Sequence, residues 1–339
     1  MNERYSRQVL FSGIGKEGQA KISSKHVLII GAGALGSGSA EVLTRAGVGK
    51  ITIIDRDYVE ASNLQRQQLY TEADVAEKLP KAAAAEKRLR AINSEVEVAS
   101  IIGDATPQLL EELVGGVDVM MDATDNFETR MAMNDVSQKY KVPWIYGACV
   151  GSFGMTFSMI PGKTPCLNCL LRQVPLQGMT CDTGGIISPA VQMVIAHQTA
   201  EALKMLVEDW DAVRTSLVSF DLWRNQYTSL KMSKARFVGC LSCGEERTYP
   251  YLDQENMTKT TVLCGRDTVQ IRPSSSGEIS LERLAGQLST LGYTVKGNPY
   301  LVSVEMGEER MVIFQDGRAL IHGTKDLTHA KSVYQRILG

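Results

Sequence analysis

A glycine-rich loop between a short apolar run and a helical segment is the strongest chemical signal in the sequence. Residues 27–30 are apolar and predict a buried strand, residues 31–36 form the loop, and residues 37–46 predict a helix. Gly31 permits a tight turn, Gly33 lets phosphate oxygens approach the backbone, and Gly36 allows the helix to pack on the strand. Free N–H groups at the helix start would face the phosphates of a nucleotide. The candidate nucleotide-binding positions of this loop are Gly31, Gly33, Ala34, Leu35 and Gly36.

Polar and cationic residues beyond the next strand indicate which nucleotide chemistry the loop serves. Residues 51–54 predict a strand that ends at Asp55, a carboxylate placed to accept hydrogen bonds from ribose hydroxyls. Hydride transfer needs an apolar slot for a nicotinamide ring, whereas reactions at phosphate need cations beside the phosphates. Asn63, Arg66 and Lys81 follow Asp55 along the chain. The combination favours chemistry at a phosphate over a dehydrogenase.

A second acidic segment is expected near the same nucleotide. Residues 117–121 predict a strand, and Thr124, Asp125 and Asn126 follow it, where ligands of doubly wound sheets bind. Helix caps and strand-end turns are the alternative roles of Asp55 and Asp125. Arg66 and Lys81, taken alone, would be solvated surface groups. Only their occurrence together favours a site.

Four of the seven cysteines form two closely spaced pairs. The pairs are Cys166 with Cys169 and Cys240 with Cys243, each beside turn-forming residues. Two such knuckles can place four thiolates around one Zn²⁺ in a closed structural site. Two redox dithiols, or a chance spacing, are the alternatives.

The order of these motifs resembles the ThiF/MoeB branch of the ubiquitin-activating-enzyme superfamily. The matching segments are residues 4–8, 31–36, 63–67, 80–81 and 124–126. The resemblance covers residues 1–247 and departs from the bacterial pattern at residues 77–81, which are longer here. Lys78 is therefore a rival to Lys81 for the phosphate-binding lysine.

The resemblance implies an ATP-dependent adenylyltransferase. In that reaction, the C-terminal glycine carboxylate of a ubiquitin-like sulfur carrier, ending in Gly-Gly and of the ThiS or MoaD type, attacks the α-phosphate of ATP. The products are an acyl-adenylate and pyrophosphate, for thiamine-thiazole or molybdopterin biosynthesis. Asp125 would hold Mg²⁺, Arg66 and Lys81 would neutralise phosphate charge, and the cysteine site would bind Zn²⁺. An NAD-dependent oxidoreductase and a non-catalytic scaffold subunit are the alternatives.

Two further residues receive roles from the resemblance. Arg7 would reach the nucleotide of a partner subunit, which implies a homodimer. Cys181, in a glycine-containing loop, would form a covalent adduct with the carrier, and a cysteine desulfurase would donate the sulfur. The alternative is a loop cysteine without a role, because MoeB-like enzymes need only the adenylate. The interpretation of His197 is a packed histidine of an apolar helix, and that of Cys149 is a small buried hydrophobe.

Composition limits the partners and the location. The net charge is −2 and the isoelectric point is near 6.2, which argues against nucleic-acid or anionic-membrane partners. No apolar run approaches the length of a membrane span, and the N-terminus lacks the apolar core of a signal peptide. A cytoplasmic location is the expectation.

The predicted fold class is α/β, a Rossmann-like doubly wound and mostly parallel sheet with the pair of zinc knuckles. The predicted domains are an adenylation domain over residues 1–247, a linker over 248–265 and a small α+β module over 266–339. In that module we predict a strand over residues 268–272 and a helix to Leu291 that Ser280 caps. A meander of three strands and a closing helix would follow, over residues 300–306, 310–314, 318–321 and 327–338.

Overall fold

The computed structural model describes residues 3–172, 184–253, 260–262, 267–272 and 278–338. It divides into two compact units. The first comprises Met1–Ala76 and Pro80–Glu255, and the second comprises Glu77–Leu79 and Asn256–Gly339. The short segment Glu77–Leu79 therefore belongs to the second unit although it lies inside the sequence of the first.

An eight-stranded sheet forms the centre of the first unit, in the order β3-β2-β1-β4-β5-β6-β7-β8. Strands β3, β2, β1, β4 and β5 are parallel, and β6, β7 and β8 are added antiparallel. The strands are β1 His26–Ile30, β2 Lys50–Asp55, β3 Glu97–Ile102, β4 Val119–Asp122, β5 Trp144–Val150, β6 Phe153–Met159, β7 Ser216–Asp221 and β8 Gln226–Lys231. The α/β class and the mostly parallel sheet are confirmed.

Helices cover both faces of this sheet. They are α1 Ser6–Leu10, α2 Gly15–Ile22, α3 Ala34–Ala46, α4 Glu72–Ala76, α5 Lys81–Ile92, α6 Pro107–Leu113, α7 Phe127–Tyr140, α8 Leu167–Leu171 and α9 Ser188–Leu206. On one face, α6 and α7 bury a core around Trp144 and Phe157. On the other, Leu35 of α3 packs with Val191 and Ile195 of α9. None of the described helices is long and apolar enough to cross a membrane.

The site residues gather because three neighbouring strands end at one edge. Strand β1 lies between β2 and β4, with Ile30 opposite both Ile54 and Asp122. Since the strands are parallel, their carboxyl ends meet at the same side of the sheet. The loops that follow β1, β2 and β4 are therefore neighbours, as the sequence predicts.

Element boundaries differ from the sequence-based predictions by one to three residues. Helix α3 begins at Ala34, inside the glycine loop, because Gly33 acts as its N-cap. Helix α9 begins at Ser188, with Ile187 as its N-cap. The residues Ser188 and Pro189 suggest from sequence that Ser188 is the cap, and the structure places the cap one residue earlier. The Ile187 amide instead donates to the Gly151 carbonyl at 3.0 Å, and this non-local bond sets the helix entry.

The second unit is a six-stranded antiparallel sheet, ordered β11-β12-β13-β14-β10-β9, with two helices. Its elements are β9 Thr260–Val262, β10 Thr268–Ile271, α10 Leu281–Thr290, β11 Thr294–Asn298, β12 Leu301–Met306, β13 Glu309–Phe314, β14 Ala319–His322 and α11 Leu327–Leu338. Leu284 and Leu288 of α10 and Val333 of α11 pack with alternate strand residues such as Val302 and Val304. The core of this unit lies between the sheet and the two helices.

The predicted capped helix and three-strand meander of this unit are confirmed. The sheet has six strands in total, more than the sequence predicts. Ser280 caps α10 through a bond from the Arg283 amide to its Oγ at 3.4 Å, and the meander is β12, β13 and β14. Strand β11 escaped sequence reasoning because its residues are mostly exposed. Strand β9 lies within the stretch predicted as a linker and pairs with β10.

Replacement of Gly36 tests the close packing of the glycine loop. A Cβ atom at this position would overlap the Gly31 carbonyl oxygen and lie 3.1 Å from the Ala123 Cβ. We expect Gly36→Ala to lower the free energy of unfolding by about 1–3 kcal/mol, as overpacking does, and to weaken nucleotide binding. Denaturant unfolding measures the first effect. Gly115→Ala is the control, because its Cβ would meet no described atom within 4 Å. Equal effects of the two changes would contradict the packing argument.

Candidate active site and metal centre

The glycine loop leaves space and backbone donors at the start of α3. Gly31 has φ +101°, in the left-handed region that favours glycine, and its amide donates to the Ile54 carbonyl at 2.8 Å. At Gly33 an added Cβ would meet, among the described residues, only Gln67 Nε2, at 3.8 Å. Among the described residues, no side chain caps the start of α3. The first amides of this helix can therefore bind an anion.

Asp55 connects the glycine loop to the end of β2. One carboxylate oxygen accepts from the Ala32 amide at 2.6 Å, and the other accepts from the Asp57 amide at 2.7 Å. Desolvation raises the pKa of Asp55, while the nearby Lys81 charge opposes that rise. Each carboxylate oxygen has a second lone pair that can accept from a ribose hydroxyl. Asp55 thus shapes the turn and is placed for the predicted ribose contact.

Lys81 is buried next to this carboxylate. Its side chain is paired with Asp57, with 3.1 Å between Nζ and Oδ2, and only 3% of the residue is exposed. The hydroxyl of Tyr70 donates to the carbonyls of Ala32 and Lys81, at 2.6 and 3.2 Å, and so fixes the start of α5 beside the glycine loop. A cation is therefore held ready beside the expected phosphates.

The rival lysine has a different setting. Lys78 belongs to the second unit, where its ammonium donates to Ser303 Oγ at 3.1 Å. Burial and the charge of Arg310 lower the pKa of Lys78. The structure brings Lys81 together with the Asp55 segment and places Lys78 among residues of the other unit.

Asn63 organises the turn that carries Arg66. Its buried side-chain oxygen accepts from the Glu60 amide at 3.2 Å, and its backbone carbonyl accepts from the backbone amides of Arg66 and Gln67. The Arg66 guanidinium donates to the Ser62 carbonyl at 2.9 Å and stays accessible to solvent. Gln67 is 4% exposed, and in the described part of the chain its Oε1 has no hydrogen-bond partner. A buried acceptor beside Gly33 fits a donor group of a bound nucleotide.

The loop after β4 presents Asp125. Asp122 Oδ1 accepts from the Thr124 amide and hydroxyl, at 3.0 and 2.9 Å. Asn126 is the N-cap of α7, since its Oδ1 accepts from the Thr129 amide at 2.8 Å. The side chains of Thr124 and Asn126 thus hold the loop, whereas Asp125 is exposed between them.

Sequence reasoning missed a charged pair that joins these loops. Arg56 Nη1 lies 3.3 Å from Asp104 Oδ1, and Arg56 is also close to Asp57 and Asp125. Burial alone would lower the pKa of Arg56, but the surrounding carboxylates outweigh burial and raise it. The available signal was the run Asp55-Arg56-Asp57, which places three charges directly after a strand at the ligand-binding edge.

The other candidate residues lie on other elements or outside the described residues. Arg7 is exposed on α1, and Cys181 lies outside the described residues. His197 packs between the rings of Phe220 and Tyr227, with centroids 6.2 and 6.0 Å away, as predicted for a packed histidine. Cys149 is half-buried beside the apolar cluster of α3 and α9.

The four paired cysteines form one buried cluster. Their sulfur atoms all lie within 4.8 Å of one another, with 3.6 Å between Cys166 and Cys240 and 3.5 Å between Cys169 and Cys243. Tetrahedral zinc–thiolate bonds place sulfurs about 3.8 Å apart. Hydrogen bonds from Cys166 and Cys243 lower the pKa of Cys169 well below its usual range, and the Phe237 amide donates to the same sulfur at 3.4 Å. The cluster fits a closed structural zinc site, as predicted.

Helix α7 holds both knuckles of this cluster through two adjacent polar residues. Asn134 Oδ1 accepts from the Leu167 amide at 2.7 Å, between the first two cysteines. Asp135 accepts from the Ser242 side chain, between the second two, and from the Tyr251 amide at 3.0 Å. Both residues are fully buried. These bonds are the kind of support that orients metal ligands.

Metal content tests the cysteine assignment. We expect about one zinc ion per chain, and Cys169→Ser should lose metal and thermal stability together because the closed site requires all four thiolates. Elemental analysis and a thermal melt measure the two effects. Cys149→Ser is the control, because it removes a thiol outside the cluster. Zinc retained at full stoichiometry in Cys169→Ser would exclude this site.

Comparisons with known proteins agree with this geometry. The chain is 54% identical to the sulfur carrier protein ThiS adenylyltransferase of Bacillus subtilis (strain 168), over 100% of both chains. It is 34% identical to the protein of that name from Escherichia coli (strain K12), over 73% of this chain and 97% of the relative. The molybdopterin-synthase adenylyltransferase of Salmonella typhimurium (strain LT2) is 32% identical, over 71% of this chain and 96% of the relative.

A solved structure supports the fold. The structure described as E. coli MccB with ATP superposes with a TM-score of 0.63 at 23% identity, covering 72% of this chain and 74% of that one. The ThiF family model matches residues 5–242, which include the glycine loop, the Asp125 loop and three of the four clustered cysteines. The chain belongs to the ThiF family.

Proposed function

We propose that this protein is an ATP-dependent adenylyltransferase that activates the C-terminal glycine carboxylate of a ubiquitin-like sulfur carrier. The observation that carries the proposal is the meeting of the glycine loop, the buried Lys81–Asp57 pair and the Asp125 loop at one edge of the sheet. The full-length similarity to a ThiS adenylyltransferase supports the same reaction.

The reaction needs positioning and charge neutralisation more than proton transfer. A carboxylate is already ionised at neutral pH, so the nucleophile requires no general base. The barrier arises from bringing an anion to a polyphosphate, and preorganised cations lower it. Lys81 would exchange its Asp57 partner for phosphate oxygens, and Arg66 would contribute a second cation from the accessible side of its turn.

The other nucleotide contacts follow from the loops around α3. The first amides of α3 would bind phosphate oxygens beside Gly33, and Asp55 would accept from the ribose. Asp125 would hold Mg²⁺, a cation that prefers oxygen ligands and that would neutralise phosphate charge when bound. Asn63, Thr124 and Asn126 would act by shaping the turns that carry these groups.

We propose a ThiS-type carrier, hence the thiamine-thiazole pathway. The relative named for ThiS matches the whole chain at 54% identity, including the second unit. The relative named for molybdopterin synthase matches 71% of the chain at 32% identity. A cysteine desulfurase as the sulfur donor and a cytoplasmic location stay predictions.

We propose a homodimer in which Arg7 reaches the nucleotide of the partner subunit. Arg7 is exposed on helix α1, and two apolar side chains that follow it are also exposed, Leu10 by 73% and Phe11 by 64%. Apolar side chains beside a functional cation are suited to a subunit contact. The number of subunits can be measured by light scattering.

The alternatives are less well supported. An NAD-dependent oxidoreductase would need an apolar nicotinamide slot, whereas charged groups surround this crevice and the relatives are named as adenylyltransferases. A scaffold subunit would not need Arg66, Lys81 and Asp125 at one nucleotide crevice. The adenylyltransferase therefore remains the proposal.

Pyrophosphate exchange tests the reaction. The protein should exchange labelled pyrophosphate into ATP when a carrier ending in Gly-Gly is present. Asp125→Ala and Arg66→Ala should each lower the exchange rate at least about a hundredfold, the effect of losing a preorganised electrostatic group. Asp211→Ala and Arg88→Ala are the matched controls, since both residues are exposed. Unchanged exchange in both site variants would contradict the assignment.

The predicted role of Cys181 has a separate test. Its thiolate would attack the acyl carbon of the adenylate, forming a thioester as AMP leaves; a persulfide at Cys181 would form an acyl disulfide instead. Cys181→Ser should keep pyrophosphate exchange, because adenylation does not use the thiol, and should abolish a reductant-sensitive or thiol-sensitive carrier adduct seen by mass spectrometry. An adduct that persists in this variant would move the role to another cysteine.

A further inference from the structure

A buried arginine lies directly beneath the Asp125 loop. Arg130, on the first turn of α7, is 6% exposed. Its Nε donates to Asp122 Oδ2 at 2.9 Å, and its Nη2 donates to the carbonyls of Thr124 and Gly147 at 2.7 and 3.1 Å. One guanidinium thus joins the end of β4, the loop that follows it and strand β5.

The two oxygens of the Asp122 carboxylate bind different partners. While Oδ2 accepts from Arg130, Oδ1 accepts from the amide and hydroxyl of Thr124. The backbone on both sides of Thr124 is therefore held, at the N–H by the carboxylate and at the C=O by the guanidinium. Asp125 is the next residue, so the direction of its backbone is fixed by this pair.

Two aromatic rings and the side-chain amide of Gln198 hold Arg130 and Asp122 in place. The Arg130 guanidinium carbon lies 5.1 Å from the centroid of the Tyr146 ring and 5.4 Å from that of Phe127, within range of cation–π attraction. Gln198 donates to the Asp122 carbonyl at 2.8 Å. The planar guanidinium matches this geometry, and a lysine ammonium could not make the same set of bonds.

The energetics indicate that the Arg130–Asp122 pair orders a loop and adds little to the stability of the fold. Burial of two opposite charges costs desolvation energy that roughly cancels their attraction, and apolar residues of similar volume would stabilise the core as well. A buried pair that also bonds two backbone groups of one loop restricts that loop to a single conformation. The loop so restricted is the one that presents the exposed Asp125.

We propose that Arg130, together with Asp122, is a positioning residue that holds Asp125 in the geometry needed to bind Mg²⁺ with the nucleotide. The inference rests on the proposed function, since it assigns Asp125 to the metal. Arg130 itself touches neither ATP nor the carrier and acts through the Thr124–Asp125 backbone. Outer residues that orient a metal ligand affect metal affinity by about 10–100-fold.

The Mg²⁺ dependence of the reaction is the direct readout. We expect Arg130→Lys and Asp122→Asn to raise the Mg²⁺ concentration needed for half-maximal pyrophosphate exchange by at least about tenfold. The affinity for MgATP, measured by calorimetry, should weaken in parallel. Arg214→Lys is the matched control, a partly buried arginine whose acidic partner is Glu201. Thermal melts and zinc content establish that each variant is folded.

A combination with Asp125→Ala separates positioning from a general structural role. If Arg130 acts through Asp125, Arg130→Lys should cause no further loss of MgATP affinity in the Asp125→Ala background. The proposal would be overturned if the two substitutions reduced MgATP affinity independently, so that their fold-losses multiplied in the double variant. It would also be overturned if Arg130→Lys lowered the exchange rate by the same factor at all Mg²⁺ concentrations. If Asp125→Ala changes neither exchange nor Mg²⁺ dependence, the metal assignment in the proposed function fails. A loss in Arg130→Lys alone would then show that Arg130 acts elsewhere.

Discussion

The close approach of the glycine loop to the chain that follows β4 is the constraint on which the candidate site depends. A Cβ at Gly31 would overlap the Ala123 carbonyl oxygen, and a Cβ at Gly36 would overlap the Gly31 carbonyl oxygen. Only residues without a side chain allow α3 to start so near β1 and β4. Because of this packing, the amides of α3, the Asp55 carboxylate and the Asp125 loop can face one ligand.

Two buried ion pairs contribute to the charge at this edge, in addition to the pair of Arg56 and Asp104. Lys81 and Asp57 hold a cation near the expected phosphates, and Arg130 and Asp122 fix the loop that carries Asp125. Buried pairs contribute little net stability, because desolvation offsets attraction. In the proposed reaction, each pair would hold charged groups in place before the substrates bind, which would lower the reorganisation needed in the transition state.

Helix α7 connects the two candidate sites of the first unit. Its N-cap Asn126 and its first-turn Arg130 belong to the nucleotide loop, while Asn134 and Asp135 bond to the two cysteine knuckles. A rigid helix therefore anchors the cysteine cluster at one part of its length and the Asp125 loop at another. Zinc bound by the four cysteines would therefore stabilise a helix that also carries part of the candidate active site.

Local sequence determined the elements and most of the chemistry. The glycine loop, the carboxylates after β2 and β4, the paired cysteines and the capped helix at Ser280 are all encoded by neighbouring residues, because turns, caps and ligand spacings act over a few positions. The resemblance carried by these motifs identified the family that the comparisons then confirmed. The start of α9 was misplaced because a distant carbonyl at Gly151 sets it.

Only the tertiary structure decided how these groups are paired. Nothing in the local sequence joins Lys81 to Asp57, Arg56 to Asp104, or Asn134 to a cysteine knuckle, since the partners lie 24, 48 and 33 positions apart. The tertiary structure also places Lys78 and Lys81, which are three positions apart, in different units. Side-chain type is fixed by sequence, but hydrogen bonds and burial depend on which strands lie side by side, and strand order is a property of the folded chain.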